Sequence, residues 1–92
     1  MVRKALLISS QDNVATALAN LVPDEVVTLG QTQITIREPI PLGHKFAVQP
    51  LERGEKIVKY GEVIGQSTVA IARGAHVHVH NLESLRGRGD RR

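Results

Sequence analysis

Ile40-Pro41-Leu42-Gly43-His44-Lys45-Phe46 carries a pattern that recurs along the chain: an apolar residue, glycine three positions on, and a second apolar residue three positions later. Leu51…Gly54…Ile57 and Ile71…Gly74…Val77 repeat it, and Leu21…Asp24…Val27 is a degenerate copy with Asp at the glycine position. Glycine enters the φ > 0 region without a Cβ penalty, and Asp is among the better non-glycine occupants of that region. Each copy therefore reads as a strand end, a tight turn and a new strand whose direction has changed. Repeated corners of this kind suit a compact, strongly bent β structure better than a flat sheet.

The segments between the corners agree. Residues 2–8, 33–37, 45–48, 56–60, 66–71 and 76–80 read as short strands, and Pro39 and Pro41 exclude a central strand through their own positions. Residues 14–22 are ambiguous: Ala15, Leu18, Ala19 and Val22 suit a helix, whereas Val14, Thr16 and Leu18 alternate as a strand would. Gly43, Gly54, Gly61, Gly65 and Gly74 are expected at turns. Many short strands at turn spacing predict an all-β fold.

Composition narrows the function. Ninety-two residues make one domain near the lower end of what buries a core unaided. With no cysteine, neither disulfides nor a zinc–thiolate site can staple it. Phe46 and Tyr60 are the whole aromatic content, so there is no stacking platform for bases. The charge of +3 belongs to the end of the chain: residues 86–92 hold four Arg and one Asp, leaving eight Lys/Arg against eight Asp/Glu up to Leu85. We expect a domain over residues 1–85, a disordered basic tail over 86–92, no nucleic-acid partner and no membrane partner. No run approaches a membrane span and the N-terminus lacks a secretory pattern, so a soluble cytoplasmic protein is the default.

Three stretches could carry chemistry. Gly43 would expose His44 and Lys45 at a corner, where a cationic pair suits carboxylate or phosphate binding or is merely solvated. Gly61 and Gly65 flank a loop next to Tyr60, which reads most simply as a hairpin with Tyr60 packed across its base. In Ala75-His76-Val77-His78-Val79-His80-Asn81, three histidines alternate with valine, which in a strand puts the imidazoles on one face. Three such positions span about 13 Å at roughly 3.3 Å per residue, so they cannot all ligate one metal. His44 or a partner chain would have to complete the sphere, with Asn81 as an acceptor for a ring nitrogen. The chain lacks paired carboxylates, a Ser/His/Asp set and a Walker-type phosphate loop.

At these motifs the chain resembles the SAF-type N-terminal module of the altronate dehydratase family, which also occurs as a small subunit in sugar-acid dehydratases and sulfolactate sulfo-lyase. The resemblance is carried by Asp12-Asn13-Val14-Ala15, Ile40-Pro41-Leu42-Gly43-His44-Lys45-Phe46-Ala47, Ile57-Val58-Lys59-Tyr60-Gly61-Glu62-Val63-Ile64-Gly65 and Gly74-Ala75-His76-Val77-His78-Val79-His80-Asn81-Leu82, in the family's order. It implies a β-clip fold and turns residues 14–18 toward strand. It implies loss of water, or of sulfite, from the position β to a carboxylate, with a divalent metal, commonly iron. On it, His44, Lys45 and Tyr60 become candidates for binding the acidic small-molecule substrate, and His76, His78 and His80 for metal or a subunit interface. The partner implied is a separate large catalytic subunit, with a homo-oligomer as a further reading. The competing class is a non-enzymatic SAF module that binds carbohydrate or a protein.

Overall fold

Nine short strands and no helix make up residues 3–84, the part of the chain that the computed structural model describes. They are β1 (Ala5–Leu6), β2 (Val14–Ala17), β3 (Val26–Leu29), β4 (Thr32–Thr35), β5 (Lys45–Ala47), β6 (Lys56–Lys59), β7 (Glu62–Ser67), β8 (His76–Val77) and β9 (Leu82–Ser84). All pairings are antiparallel: a four-stranded sheet in the order β1-β2-β5-β8, the hairpin β3-β4, and a three-stranded sheet β6-β7-β9. The fold class is all-β, and no helix among the described residues is long and apolar enough to cross a membrane.

The corners are the frame of the molecule. Asp24, Gly43, Gly54 and Gly74 have φ of 73°, 87°, 85° and 87°, so the degenerate copy turns as the glycine copies do. Each corner is closed by the strand entering another copy. Gly43 N–H donates to the Ala17 carbonyl while Ala17 N–H donates to that of His44; Asp24 and Glu25 are joined to Ile36 in the same reciprocal way. Gly54 and Glu55 are joined so to Ser67, and Gly74 and Ala75 to Ala47. The apolar residues that open the copies pair as isolated bridges, Leu21 with Ile40 and Leu51 with Ile71. Backbone polar groups in the bends are thus satisfied without helix or long ladder, as burial requires.

Two half-units result, each with its own core. Leu21, Val27, Ile34, Ile36, Ile40 and Phe46 pack in one, Leu51, Ile57, Ile71 and Val77 in the other. The central sheet divides them, because alternate residues of a strand point to opposite faces. Ala15, Ala17 and Phe46 serve the first core, and Val14 and Ala47 the second. Burying each Leu, Ile, Val or Phe contributes about 1.5–3 kcal/mol, which lets a chain with two aromatics hold together.

Several expectations are corrected. The opening strand is confined to Ala5–Leu6, whereas residues 14–17 form the strand toward which the resemblance pointed. β3 and β9 were not anticipated, because Val26–Leu29 and Leu82–Ser84 alternate weakly. The strand expected over 66–71 is β7, which begins at Glu62 and ends at Ser67. Gly65 is no turn residue: it lies inside β7 beside a bulge, where a Cβ would collide with the Glu83 carbonyl of β9. The hairpin turn is Tyr60-Gly61 alone, with φ of 58° and 75°, and Tyr60 stands 55% exposed instead of packing across the base. The expected basic tail, 86–92, lies outside the described residues.

Candidate metal centre

The register of β5 against β8 builds the centre. Phe46 lies opposite His76 and Lys45 opposite Val77; one step further along that register sets His44 opposite His78. Directly opposed residues point to the same side. His44, His76 and His78 therefore converge on one face, with ring centroids 4.0 Å apart for His44 and His78 and 5.1 Å for His44 and His76. His44 comes from the corner at Gly43 and the other two follow the corner at Gly74, so the cluster lies across the junction of the half-units.

The histidine row is not one strand. β8 ends at Val77, and residues 78–81 turn back. Asn81 makes that turn: its Oδ1 accepts from His78 N–H at 2.9 Å and its Nδ2 donates to the His76 carbonyl at 2.8 Å. Asn81 thus fixes the backbone carrying the two imidazoles, in place of the expected role as acceptor for a ring nitrogen. The bend leaves His80 exposed at the rim, its ring 5.1 Å from that of His76 and tilted by 35°.

One candidate ligand nitrogen from each of His44, His76 and His78 lies within 4.8 Å of the others. His44 Nδ1 and His76 Nε2 share a hydrogen bond of 2.9 Å, while His78 Nδ1 is buried without any partner. A buried, unpaired imidazole nitrogen costs about 1–3 kcal/mol of lost hydration. Burial holds His76 below the ordinary imidazole range, and the charges of His80, His44 and His78 add to this against the opposing pull of Glu38. Burial likewise lowers His78, followed by the charges of His44, Lys45 and His80. Both shifts favour the neutral form, which is the metal-binding form. Three imidazoles without thiolate suit a divalent ion of intermediate softness, such as iron or zinc. Two nitrogens about 2.1 Å from one ion are at most about 4.2 Å apart, so a shared ion would require the widest pair to close slightly.

Around the rings stand Lys45 and Tyr60, which the sequence had put forward for substrate, and Glu38, which it had not singled out. Glu38 Oε2 accepts from His76 N–H at 2.9 Å. Lys45 is half-buried; burial, and then the charge of Lys59, lowers its ammonium below the usual lysine range. Lys59 Nζ sits 4.8 Å from the Tyr60 ring centroid, and the described contacts link Tyr60 to the centre only through this lysine. Asp12 secures the hairpin tip, accepting from Gly61 N–H with one oxygen and Ser9 N–H with the other. Burial pushes its carboxyl up, but the backbone donors of Gly61, Ser9, Tyr60 and Ile8 together bring it below the usual value.

Comparison with known proteins gives a consistent answer. A family model described as the altronate/galactarate dehydratase SAF domain matches residues 3–85. The altronate dehydratase of Escherichia coli strain K12 is 42% identical over 77 residues, covering 84% of this chain and 16% of that protein. The altronate dehydratase of Bacillus subtilis strain 168 is 38% identical over the same shares. The (2R)-sulfolactate sulfo-lyase subunit alpha of Paracoccus pantotrophus is 39% identical over 54 residues, covering 59% of this chain and 81% of that one. The chain thus spans about a sixth of the altronate dehydratases it matches.

Proposed function

The chain belongs to the altronate/galactarate dehydratase SAF-domain family, and from that premise we propose that it is the small subunit of a sugar-acid dehydratase or sulfolactate sulfo-lyase. It would hold a divalent metal and the acidic substrate for a larger catalytic partner. The observation that carries this reading is the convergence of His44, His76 and His78, one ring nitrogen of which, His78 Nδ1, is buried without a partner.

In this reading His44, His76 and His78 hold the metal, commonly iron in the family, and His80 stands at the rim as a further imidazole. The ion would supply Lewis acidity, stabilising negative charge on a substrate oxygen once the proton next to the carboxylate is taken. The chain's own part is to bind and orient. Asn81 fixes His76 and His78 by their backbone, and Glu38 pins the His76 amide. Lys45 faces the substrate carboxylate from a half-buried position, where a compact ammonium acts strongly because water is partly excluded. The group that takes the carbon-bound proton is assigned to the larger partner.

The test has two arms. The metal-free chain titrated with ferrous or zinc ion should bind one equivalent, and His78→Ala should weaken binding at least tenfold. Mixed with the large subunit and ferrous iron, the chain should support lyase turnover of altronate, galactarate or sulfolactate that neither component gives alone. Stoichiometric binding unaffected by His78→Ala removes the metal centre, and an inert mixture across all three acids removes the subunit reading.

A further inference from the structure

The segments 33–38 and 73–76 cross where the half-units meet, and the crossing is tight. Arg37 N–H donates to the Gly74 carbonyl at 3.0 Å, and a Cβ on Gly74 would collide with the Thr35 carbonyl. The Arg37 stem passes just outside, with its Cγ 3.4 Å from that Cβ position. On the other side, the Arg73 guanidinium donates to the Gln33 carbonyl at 2.9 Å. Both arginines and Asp24, Thr35 and Ile36 line one open cavity of about 420 Å³.

Both arginines therefore line one cavity, Arg73 anchored by its guanidinium on the Gln33 carbonyl and Arg37 held at its backbone by Gly74. Among the described residues neither forms an ion pair; the carboxylate next in sequence, Glu38, is turned to the His76 amide instead. Asp24 stands on the cavity wall without coming within 4.0 Å of either guanidinium nitrogen set. Like charges directed at one space repel, and a bound anion removes that repulsion. Guanidinium is also the side chain whose planar fork matches an oxyanion in two hydrogen bonds.

We infer that Arg37 and Arg73 form a binding site for a small oxyanion, with the carboxylate, sulfonate or phosphate group seated between the two guanidinium groups. The cavity exceeds the size of a bare anion, and Asp24 and Thr35 offer a carboxylate and a hydroxyl to the rest of the ligand. Ligands bearing a hydroxyl donor beside the anionic group are thereby favoured. Occupancy ties residue 37 of one half-unit to residue 73 of the other, so it stabilises the junction by mass action. The site does not depend on metal, and its fate is separate from that of the histidine centre.

The experiment is an amide NMR titration of the full chain in chelator, at constant ionic strength set with chloride. The probes are inorganic phosphate, methanesulfonate, acetate and glycolate. Saturable shifts at Gln33, Arg37, Arg73 and Gly74 are expected with at least one probe, and glycolate should bind more tightly than acetate. Arg37→Gln and Arg73→Gln should each weaken the best probe at least tenfold, while Arg53→Gln leaves it unchanged. Shifts that stay linear for every probe, or that weaken equally with Arg53→Gln, overturn the site. Equal binding of acetate and glycolate overturns the role given to Asp24 and Thr35. The arms also separate the anion classes, since the probe saturating at the lowest concentration identifies the preferred group.

Discussion

Replacing Gly74 by Ala tests the crossing with unusual economy, because the chain contains its own controls. Gly43, Gly54 and Gly74 share nearly the same φ, 87°, 85° and 87°. A Cβ at Gly43 or Gly54 meets nothing within 4 Å, whereas at Gly74 it runs into the Thr35 carbonyl oxygen. An L-residue in this left-handed region costs about 1–2 kcal/mol, and Gly54→Ala should show that and no more. At Gly74 the obstructing atom is backbone and cannot rotate aside, so overpacking adds about 1–3 kcal/mol. The combined loss of about 2–5 kcal/mol is a large part of the 5–15 kcal/mol that such domains possess. Urea unfolding followed by far-ultraviolet circular dichroism is the assay, since the chain has no tryptophan. With a slope of about 1–2 kcal/mol/M, the Gly74→Ala midpoint should fall at least about 0.5–1 M below that of Gly54→Ala. Midpoints that coincide would refute the account of the crossing, and with it the anchoring of Arg37.

Other expectations follow from the same geometry. Tyr60 occupies a φ of 58° that bulky residues resist, so Tyr60→Asn should raise stability by about 0.5–1 kcal/mol in thermal or urea unfolding. Asn81→Ala removes two hydrogen bonds from the turn behind His76 and His78 and should cost about 1–3 kcal/mol. The same variant should weaken metal binding without removing any imidazole, which calorimetry would detect. His76 and His78 are held below the ordinary imidazole value of 6.5, so the unfolded chain binds more protons than the folded one just below that pH. Stability of the metal-free chain should therefore be complete above about pH 7 and decline as pH falls through 6.5, and a His76→Gln/His78→Gln double variant should flatten that decline. Unfolding midpoints measured from pH 5 to 8 decide the point.

The corners were legible because a positive φ has a chemical signature. Glycine or Asp at a fixed distance between two apolar residues marks a turn whatever surrounds it, and the four copies turn as their spacing implies. The centre was less legible, because it depends on which strands pair. Alternation in residues 76–80 suggests a straight row, but Asn81 bends it after Val77, its side chain bonding the backbone of His76 and His78 and its N–H the His78 carbonyl. The approach of His44 follows from the register of β5 on β8, which no local pattern encodes; two His-bearing corners of one repeat were the available hint. Gly65 misled for a related reason, since glycine serves close backbone approach as well as turning. Glu38, Lys59, Arg37 and Arg73 sit on surfaces whose neighbours come from the other half of the chain, and solvated charges look the same in sequence.

The reciprocal corners carry a historical implication. Ala17, Leu21, Asp24, Glu25 and Val27 are followed thirty residues later by Ala47, Leu51, Gly54, Glu55 and Ile57. Ile36, Ile40, Gly43 and Phe46 are followed thirty-one residues later by Ser67, Ile71, Gly74 and Val77. Gly30 and Tyr60, which open the two hairpin turns, are again thirty apart. This is the layout of one unit of about thirty residues duplicated in tandem. A duplicated frame starts with equal surfaces on both sides of its junction, so any chemistry there has to come from divergence between the copies. By the offset of thirty-one the counterpart of His44 is Ala75 and that of Lys45 is His76. The cluster exists because the two copies stopped matching at the positions where they meet.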